Sequence, residues 1–197
     1  MVVSLPSQAV GIGMIYVALL RGINVGGKNK VDMRKLKATF EESGMSDVTT
    51  YINSGNVVFK DNRRKAPKIM SVLEESIAAD IGLQIKVLVR DLPAIRKVIK
   101  AIPAAWTTDA NMRCDVMFLW EGFDRKDVLK EWKIKPEIED VIYVPGAVIW
   151  RIDRSNVNKS RMTKVVGTDL YKAMTIRNSN TVRKLAEMME SAGSSKA

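Results

Sequence analysis

The order of apolar and polar positions over residues 14–100 predicts a βαββαβα succession. The run MIYVALLRG is apolar up to its last two residues and ends in a glycine, as a buried strand would. Apolar positions then recur at helical spacing after Asp32, which is placed to cap a helix. Two β runs, TTYIN and NVVFK, flank Ser54 and Gly55, which is a hairpin signal. A second helix, the strand QIKVLVR and a third helix beginning at Asp91 complete this half.

The rest of the chain repeats this succession. The strand CDVMFLW is followed by a helix that Asp124 is placed to cap and by a hairpin around Pro145 and Gly146. A helix capped by Ser160, a short β segment and a last helix from about Ser179 follow.

Two pairs of matching segments indicate that the halves are duplicates. In the same order along the chain, VALLRG matches MFLWEG and INSGNVVFK matches YVPGAVIWR. The first pair is offset by 100 residues and the second by 91, which predicts nine additional residues in the first copy. We place them in or near INVGGKNK, between Arg21 and Asp32.

These patterns define the expected fold class. A βαββαβ succession with right-handed crossovers forms an antiparallel ferredoxin-like sheet with helices on one face. The sequence therefore predicts an α+β protein of two tandem ferredoxin-like subdomains. The expected boundaries are a flexible leader at 1–13, a first subdomain at 14–104, a second at 105–190 and a disordered tail at 191–197.

Composition narrows the chemistry. The chain has no histidine and one cysteine, Cys114, so zinc, copper and haem sites lack their usual ligands and Ser-His or Cys-His catalysis is excluded. We expect neither a metal nor a cofactor. A single cysteine allows no internal disulfide and indicates a reducing compartment, most simply the cytoplasm. No run of about 18 apolar residues predicts a membrane span.

The charge balance indicates the class of partner. Lys and Arg number 32 and Asp and Glu 22, giving a formal net charge of +10. Such an excess favours an anionic ligand, possibly nucleic acid or a nucleotide. The alternative is a basic, soluble surface that has no partner.

The loop INVGGKNK is the first candidate binding segment. Gly26 and Gly27 would let backbone amides approach a phosphate, and Arg21, Lys28 and Lys30 would supply positive charge. The alternative is a solvated turn. The stretch GINVGGKN also fits G-x-x-x-x-G-K, but Asn29 stands where a P-loop has Ser or Thr, so a nucleoside triphosphatase is not favoured.

Two further segments are rich in hydrogen-bonding side chains. The first hairpin tip, residues 53–56, is more polar than a turn requires, because its copy turns with Val-Pro-Gly-Ala. The segment TIRNSNT combines Arg177 with a helix N-terminus, which favours either an anion site or simple capping. An RNA-recognition motif is not favoured, because GNVVFK and GAVIWR each carry one aromatic residue.

Three long segments carry a family resemblance: ALLRGINVGGKNKVDM, TYINSGNVVF and TIRNSNTVRKL. Through them the chain resembles the bacterial domain-of-unknown-function family 1697 over residues 14 to about 190. The resemblance implies two ferredoxin-like subdomains and brings no established activity. It implies that the motif residues are Arg21, Asn24, Gly26, Gly27, Lys28, Lys30, Asn53, Ser54, Gly55, Asn56, Arg177, Asn178 and Thr181.

The leading hypothesis is a cytoplasmic binding module. Its loop, hairpin tip and TIRNSNT junction would form one basic, asparagine-rich cleft for a phosphate-bearing ligand, either nucleic acid or a nucleotide. One alternative is an enzyme that acts on a phosphorylated substrate with Lys28 or Lys30 as electrophile. The other is a structural interaction protein that uses its sheet edges or surface.

Overall fold

A computed structural model describes residues 14–27, 29–132, 134–165 and 167–194. The expected leader at 1–13, Lys28 and residues 195–197 of the expected tail lie outside these residues. The first half follows the expected succession: β1 Met14–Leu20, α1 Met33–Glu42, β2 Ser46–Tyr51, β3 Asn56–Asp61, α2 Ala66–Ile81, β4 Val87–Asp91 and α3 Leu92–Ala101.

The second half keeps the strands, but its first two helices are shorter than those of the first half. Its elements are β5 Met112–Leu119, α4 Val128–Glu131, β6 Glu139–Val144, β7 Ala147–Asp153, α5 Asp169–Lys172, β8 Met174–Asn178 and α6 Ser179–Ser194. Short 3-10 helices lie at Glu121–Phe123, Arg154–Lys159 and Met162–Val165.

Helix caps in the first half form as the sequence indicates. The carboxylate of Asp32 accepts a hydrogen bond from the amide of Arg34 at the start of α1. The carboxylate of Asp91 accepts one from the amide of Ala94 at the start of α3. Each carboxylate satisfies an amide that has no partner within its helix, which fixes where that helix begins.

Three expectations for the second half are corrected. Asp124 follows a 3-10 helix and its carboxylate bonds elsewhere, so it caps no α-helix. The helix expected from Ser160 is interrupted, because Gly167 adopts a φ of +93° and Thr168 caps a separate helix, α5. At the end of the chain, α6 continues to Ser194, so residues 191–194 are helical rather than part of a tail.

The strands form two four-stranded antiparallel sheets in the ferredoxin-like order. One has the order β2-β3-β1-β4 and the other β6-β7-β5-β8. Leu19 pairs with Asn56, and Phe118 pairs with Ala147 in the second sheet. The first strands are therefore offset by 99 residues and the hairpins by 91, so the first half has eight additional residues rather than nine.

Two of the additional residues lie elsewhere than expected. The first hairpin turn has four residues between Tyr51 and Asn56, whereas the second has two between Val144 and Ala147. Two of the eight therefore belong to the turn, and the other six lie between β1 and β2.

Three hydrophobic clusters show how the halves are joined. Helices α1 and α2 cover one face of the first sheet, and the short helices of the second half cover the outer face of the second sheet. The third cluster contains apolar residues of α3, α6 and both sheets, so these helices lie in a core that the halves share. Among the described residues, no helix has the length and apolarity needed to cross a membrane.

Candidate functional site

The polar end of the first sheet brings two of the three candidate segments together. We call this region the first tip: the described residues of the loop 22–31 and the turn 52–55. Asn24 joins them, because its amide nitrogen Nδ2 donates to the carbonyls of Val31, at 3.0 Å, and Asn53, at 2.8 Å. Its Oδ1 accepts from the Val31 amide at 2.8 Å. One asparagine side chain thus closes the loop and fastens it to the hairpin.

The backbone of the first tip is unusual. Four described non-glycine residues have positive φ, and three of them, Asn24, Asn29 and Ile52, lie here. Ile52 has a φ of +47°, a conformation that is costly for a β-branched side chain. Ile52 is also 51% exposed, so apolar burial does not explain its position. Strained backbone of this kind is concentrated at functional sites.

Several hydrogen-bond donors of the first tip have no acceptor within the described part of the chain. Among the described residues, nothing accepts a hydrogen bond from the amides of Gly26, Gly27, Ser54 or Gly55. The exposed Lys30 likewise has no hydrogen bond or ion pair with any described residue. A groove of about 580 Å³ opens beside them, lined by Asn24, Gly27, Lys30, Val31, Asp32, Met33 and Asn53. The groove therefore presents the Gly27 amide and the positive charge of Lys30 to solvent, together with the carboxylate of Asp32, which pairs with Arg34.

The third candidate segment lies beneath the tip rather than on its surface. Arg177 is 8% exposed. Its Nε donates to Oδ1 of Asn56, and its Nη2 donates to the carbonyls of Leu20, at 2.8 Å, and Ser54, at 2.9 Å. Further bonds run to Gly55, Thr175 and Ile176. These bonds fasten β8 of the second half to the first tip.

Arg177 is a buried cation without a carboxylate partner among the described residues. Burial lowers its pKa to about 10, so it is still protonated at neutral pH. Carbonyl and amide oxygens take the place of a counter-ion. The donors of Arg177 have acceptors within the protein, and a direct contact between Arg177 and a ligand stays a prediction from the sequence motif.

Asn178 and Thr181 of the third segment, like Asn56 and Arg21 of the other two segments, are buried or have partners within the protein. Oδ1 of Asn178 accepts from the amide of Thr181 at 2.8 Å, which is the capping alternative. Thr181 is 6% exposed and Asn56 is fully buried. Arg21 donates to the carbonyls of Met174 and Tyr171, across the boundary between the halves. These side chains stabilise the packing of strands and turns. The donors without a described acceptor belong to the loop and the turn.

The second half contains a matched copy of the hairpin end. We call the turn Pro145 and Gly146 together with Asp124 the second tip. Gly146 corresponds to Gly55, because the carbonyl of Gly55 accepts from Leu20 at 2.8 Å and that of Gly146 accepts from Leu119 at 3.0 Å. Here, however, Oδ1 of Asp124 accepts from the Gly146 amide at 2.8 Å. The second tip therefore supplies its own anion.

The sequence indicated Asp124 only as a helix cap and did not indicate Arg90. Oδ1 of Asp124 also accepts from the hydroxyl of Tyr143 at 2.9 Å. Arg90 on β4 corresponds to Arg177 on β8, and its Nη2 donates to the carbonyl of Leu119 at 2.5 Å. Burial lowers the pKa of Arg90, while the nearby Asp124 acts in the opposite direction. Each half thus sends one arginine to the hairpin end of the other.

The described residues provide little evidence for a metal site or a reactive thiol. Within the described part of the chain, no group of three or more His, Cys, Asp or Glu is placed to hold a metal ion. Cys114 is buried, and burial raises the pKa of its thiol, so it is a poor nucleophile.

Comparisons with known proteins agree with this architecture. A family model described as "Protein of unknown function (DUF1697)" matches residues 14–150. The chain is also similar to the solved structure of the conserved bacterial protein SP0830 from Streptococcus pneumoniae. That similarity has a TM-score of 0.76 and 28% sequence identity over 89% of this chain and 98% of the other. The comparison with curated proteins gives no match.

Proposed function

The chain belongs to the DUF1697 family of proteins of unknown function, and we propose that it is a binding module whose first tip holds a phosphate-bearing ligand, either nucleic acid or a nucleotide. The observation that carries this proposal is the set of amides at Gly26, Gly27, Ser54 and Gly55 that have no described acceptor. Free amides in glycine-rich turns are the groups with which proteins hold phosphate oxygens.

The charge at the first tip supports the same class of ligand. Lys30 lines the groove and is not neutralised by any described acidic side chain. A chain with a net charge of +10 also attracts anions over a distance of about one Debye length, 8–10 Å at physiological salt. Both features predict binding that weakens as salt rises.

Two apolar side chains favour a nucleotide unit over a bare phosphate. Val25 is 64% exposed and Ile52 is 51% exposed. They directly follow Asn24 and directly precede Asn53, the two residues whose hydrogen bond joins the loop to the turn. A nucleobase could contact these side chains while its phosphate lies against the amides. The exposed apolar groups at a polar tip are then part of the binding surface.

The ligand contacts are fewer than the sequence motifs imply. We assign direct contacts to Gly26, Gly27, Lys30, Asn53, Ser54 and Gly55. We assign a scaffold role to Arg21, Asn24, Asn56, Arg177, Asn178 and Thr181. A cytoplasmic location stays a prediction from the cysteine content.

Fluorescence anisotropy with labelled short RNA, single-stranded DNA and duplex DNA tests this function at low and near-physiological salt. Lys30→Gln removes the exposed charge of the tip. Lys65→Gln is the matched control, because Lys65 is exposed, has no described partner and lies beyond the opposite end of β3. We expect the first variant to weaken binding about fivefold and the control to change it little.

Equal effects of the two variants would mean that binding follows net charge alone and would contradict a site at the first tip. The absence of binding to all three polymers at low salt would exclude nucleic acid. The same assay with labelled nucleotides would then decide whether a mononucleotide is the ligand.

A further inference from the structure

The second tip shows how this hairpin end accommodates a negative charge. One carboxylate oxygen, Oδ1 of Asp124, receives hydrogen bonds from the amide of Gly146 and the hydroxyl of Tyr143. The carboxylate is part of the chain, so this position is permanently occupied. It defines which two donors of the hairpin face an anion.

The first tip has the same amide without the carboxylate. Gly55 corresponds to Gly146 and is buried, yet no described residue accepts a hydrogen bond from its amide. A buried amide without an acceptor destabilises the folded state, because it loses its hydrogen bond to water and gains none in return. Such groups are rare in folded proteins, and each needs an explanation. An external oxygen at this position would supply the missing acceptor.

Arg177 orients the turn for this purpose. It donates to the carbonyl of Ser54, which shares a peptide group with the amide of Gly55. In a trans peptide the carbonyl and the amide point in opposite directions, so the Gly55 amide points away from the buried guanidinium. The donor is therefore held in a fixed direction before any ligand arrives.

The second donor also has a counterpart. Tyr143 pairs with Val148, and in the first sheet Thr50 pairs with Val57, so Thr50 occupies the position of Tyr143. The Thr50 side chain is half-buried, and its hydroxyl has no hydrogen bond with any described residue. A threonine is shorter than a tyrosine, so a ligand that accepts from the Thr50 hydroxyl would have to extend closer to the strand, as a group larger than one carboxylate oxygen would.

We propose that the amide of Gly55 and the hydroxyl of Thr50 form the phosphate subsite of the first tip, at the position that Asp124 fills in the second tip. The inference rests on the proposed function and identifies the part of the ligand that this position holds. It also predicts that the second tip binds no phosphate while Asp124 is present.

Amide NMR spectra of the full chain, recorded during a titration with inorganic phosphate, test the subsite without any nucleic acid. We expect the Gly55 amide resonance to shift with saturation and the Gly146 resonance to stay in place. Thr50→Val should weaken phosphate binding about fivefold, the effect of one average hydrogen bond. Thr49→Val is the matched control, because Thr49 is its exposed neighbour on β2 and the Thr49 hydroxyl has no described hydrogen bond.

A third variant tests the correspondence between the tips. Asp124→Ala removes the internal carboxylate, so the Gly146 resonance should become sensitive to phosphate. Equal shifts at Gly55 and Gly146 in the unmodified chain, or equal effects of Thr50→Val and Thr49→Val, would overturn the subsite. Nucleic-acid binding that depends on Lys30 but not on Thr50 would overturn the subsite alone and leave the proposed function standing.

Discussion

The two hairpin ends of this protein are built on the same strands, yet they use their hydrogen-bond donors differently. In the second tip, the carboxylate of Asp124 accepts hydrogen bonds from the amide of Gly146 and the hydroxyl of Tyr143. In the first tip, the corresponding groups of Gly55 and Thr50 have no described acceptor, and the neighbouring loop adds Lys30 and the glycine amides. Both halves therefore place a glycine amide and a side-chain hydroxyl at the hairpin end. In the second half, the carboxylate of Asp124 already accepts hydrogen bonds from both groups.

Arg90 and Arg177 occupy corresponding positions in the two halves but differ in their charged neighbours. Arg177 and Arg90 both leave the inner strand face of one half and reach the hairpin end of the other. Asp124 lies close enough to Arg90 to act on its charge, whereas Arg177 has only neutral acceptors among the described residues. The first tip therefore lies above a buried positive charge that no described carboxylate offsets.

The largest effect is expected when this buried guanidinium is removed. Arg177→Met leaves the carbonyls of Leu20 and Ser54 and the side chain of Asn56 without a donor. We expect a loss of about 3–5 kcal/mol in the free energy of unfolding, measured by urea denaturation. Arg90→Met, with fewer acceptors, should cost about 1–3 kcal/mol. Equal losses would contradict the different roles of the two arginines.

The next largest effect is expected from substitution of the corresponding glycines, Gly55 and Gly146. Both have positive φ, but a Cβ on Gly55 would lie 2.7 Å from Cβ of Leu20 and 2.8 Å from Cδ1 of Ile23. The nearest atom to a Cβ on Gly146 is Nε of Arg90 at 3.4 Å. Gly55→Ala should therefore cost about 2–4 kcal/mol and Gly146→Ala about 1–2 kcal/mol in thermal unfolding. The reverse order would show that the first turn tolerates rearrangement.

A smaller effect is expected from the side chain that joins the loop to the turn. Asn24→Ala removes its bonds to Val31 and Asn53 and should cost about 1–2 kcal/mol. Hydrogen exchange should become faster in the loop 22–31 and the turn 52–55. The turn at Pro145 and Gly146 is the internal control, and a similar acceleration there would indicate general destabilisation.

The smallest effect concerns pH at the second tip. Burial, and then the hydrogen bond to Asp124, raise the pKa of the Tyr143 phenol. The folded pKa lies above the unfolded value of about 10, so this contribution to stability is complete below pH 10 and is lost as pH rises through the folded pKa. Asp124→Asn should move the tyrosinate absorbance titration toward lower pH, and Tyr143→Phe identifies the transition. An unchanged titration would contradict the Asp124–Tyr143 contact.

Sequence patterns predicted the first half of the fold well because its signals are local. The caps at Asp32 and Asp91 and the hairpin glycine act over a few residues. The second half was harder, because Asp124 bonds to residues 19 and 22 positions away instead of to its own helix. The offset of 100 residues was wrong by one, since a continuously apolar strand leaves its register open.

The candidate site was predictable only in part. Asn24, Lys30 and Asn53 belong together because two loops meet at one sheet end, as a polar hairpin beside a polar loop suggests. Burial depends on the tertiary structure. The sequence alone therefore suggests that an arginine such as Arg177 is exposed, whereas the structure shows that it is buried. Thr50 was missed because its significance depends on a comparison with Tyr143, which requires the register of both sheets.

A crystal structure of the protein with a bound dinucleotide is the most direct test of ligand binding at the first tip. The account predicts a phosphate against the amide of Gly55 and the hydroxyl of Thr50, a base near Val25 and Ile52, and no ligand at Gly146. A dinucleotide bound away from the first tip, or bound equally at both hairpin ends, would contradict it.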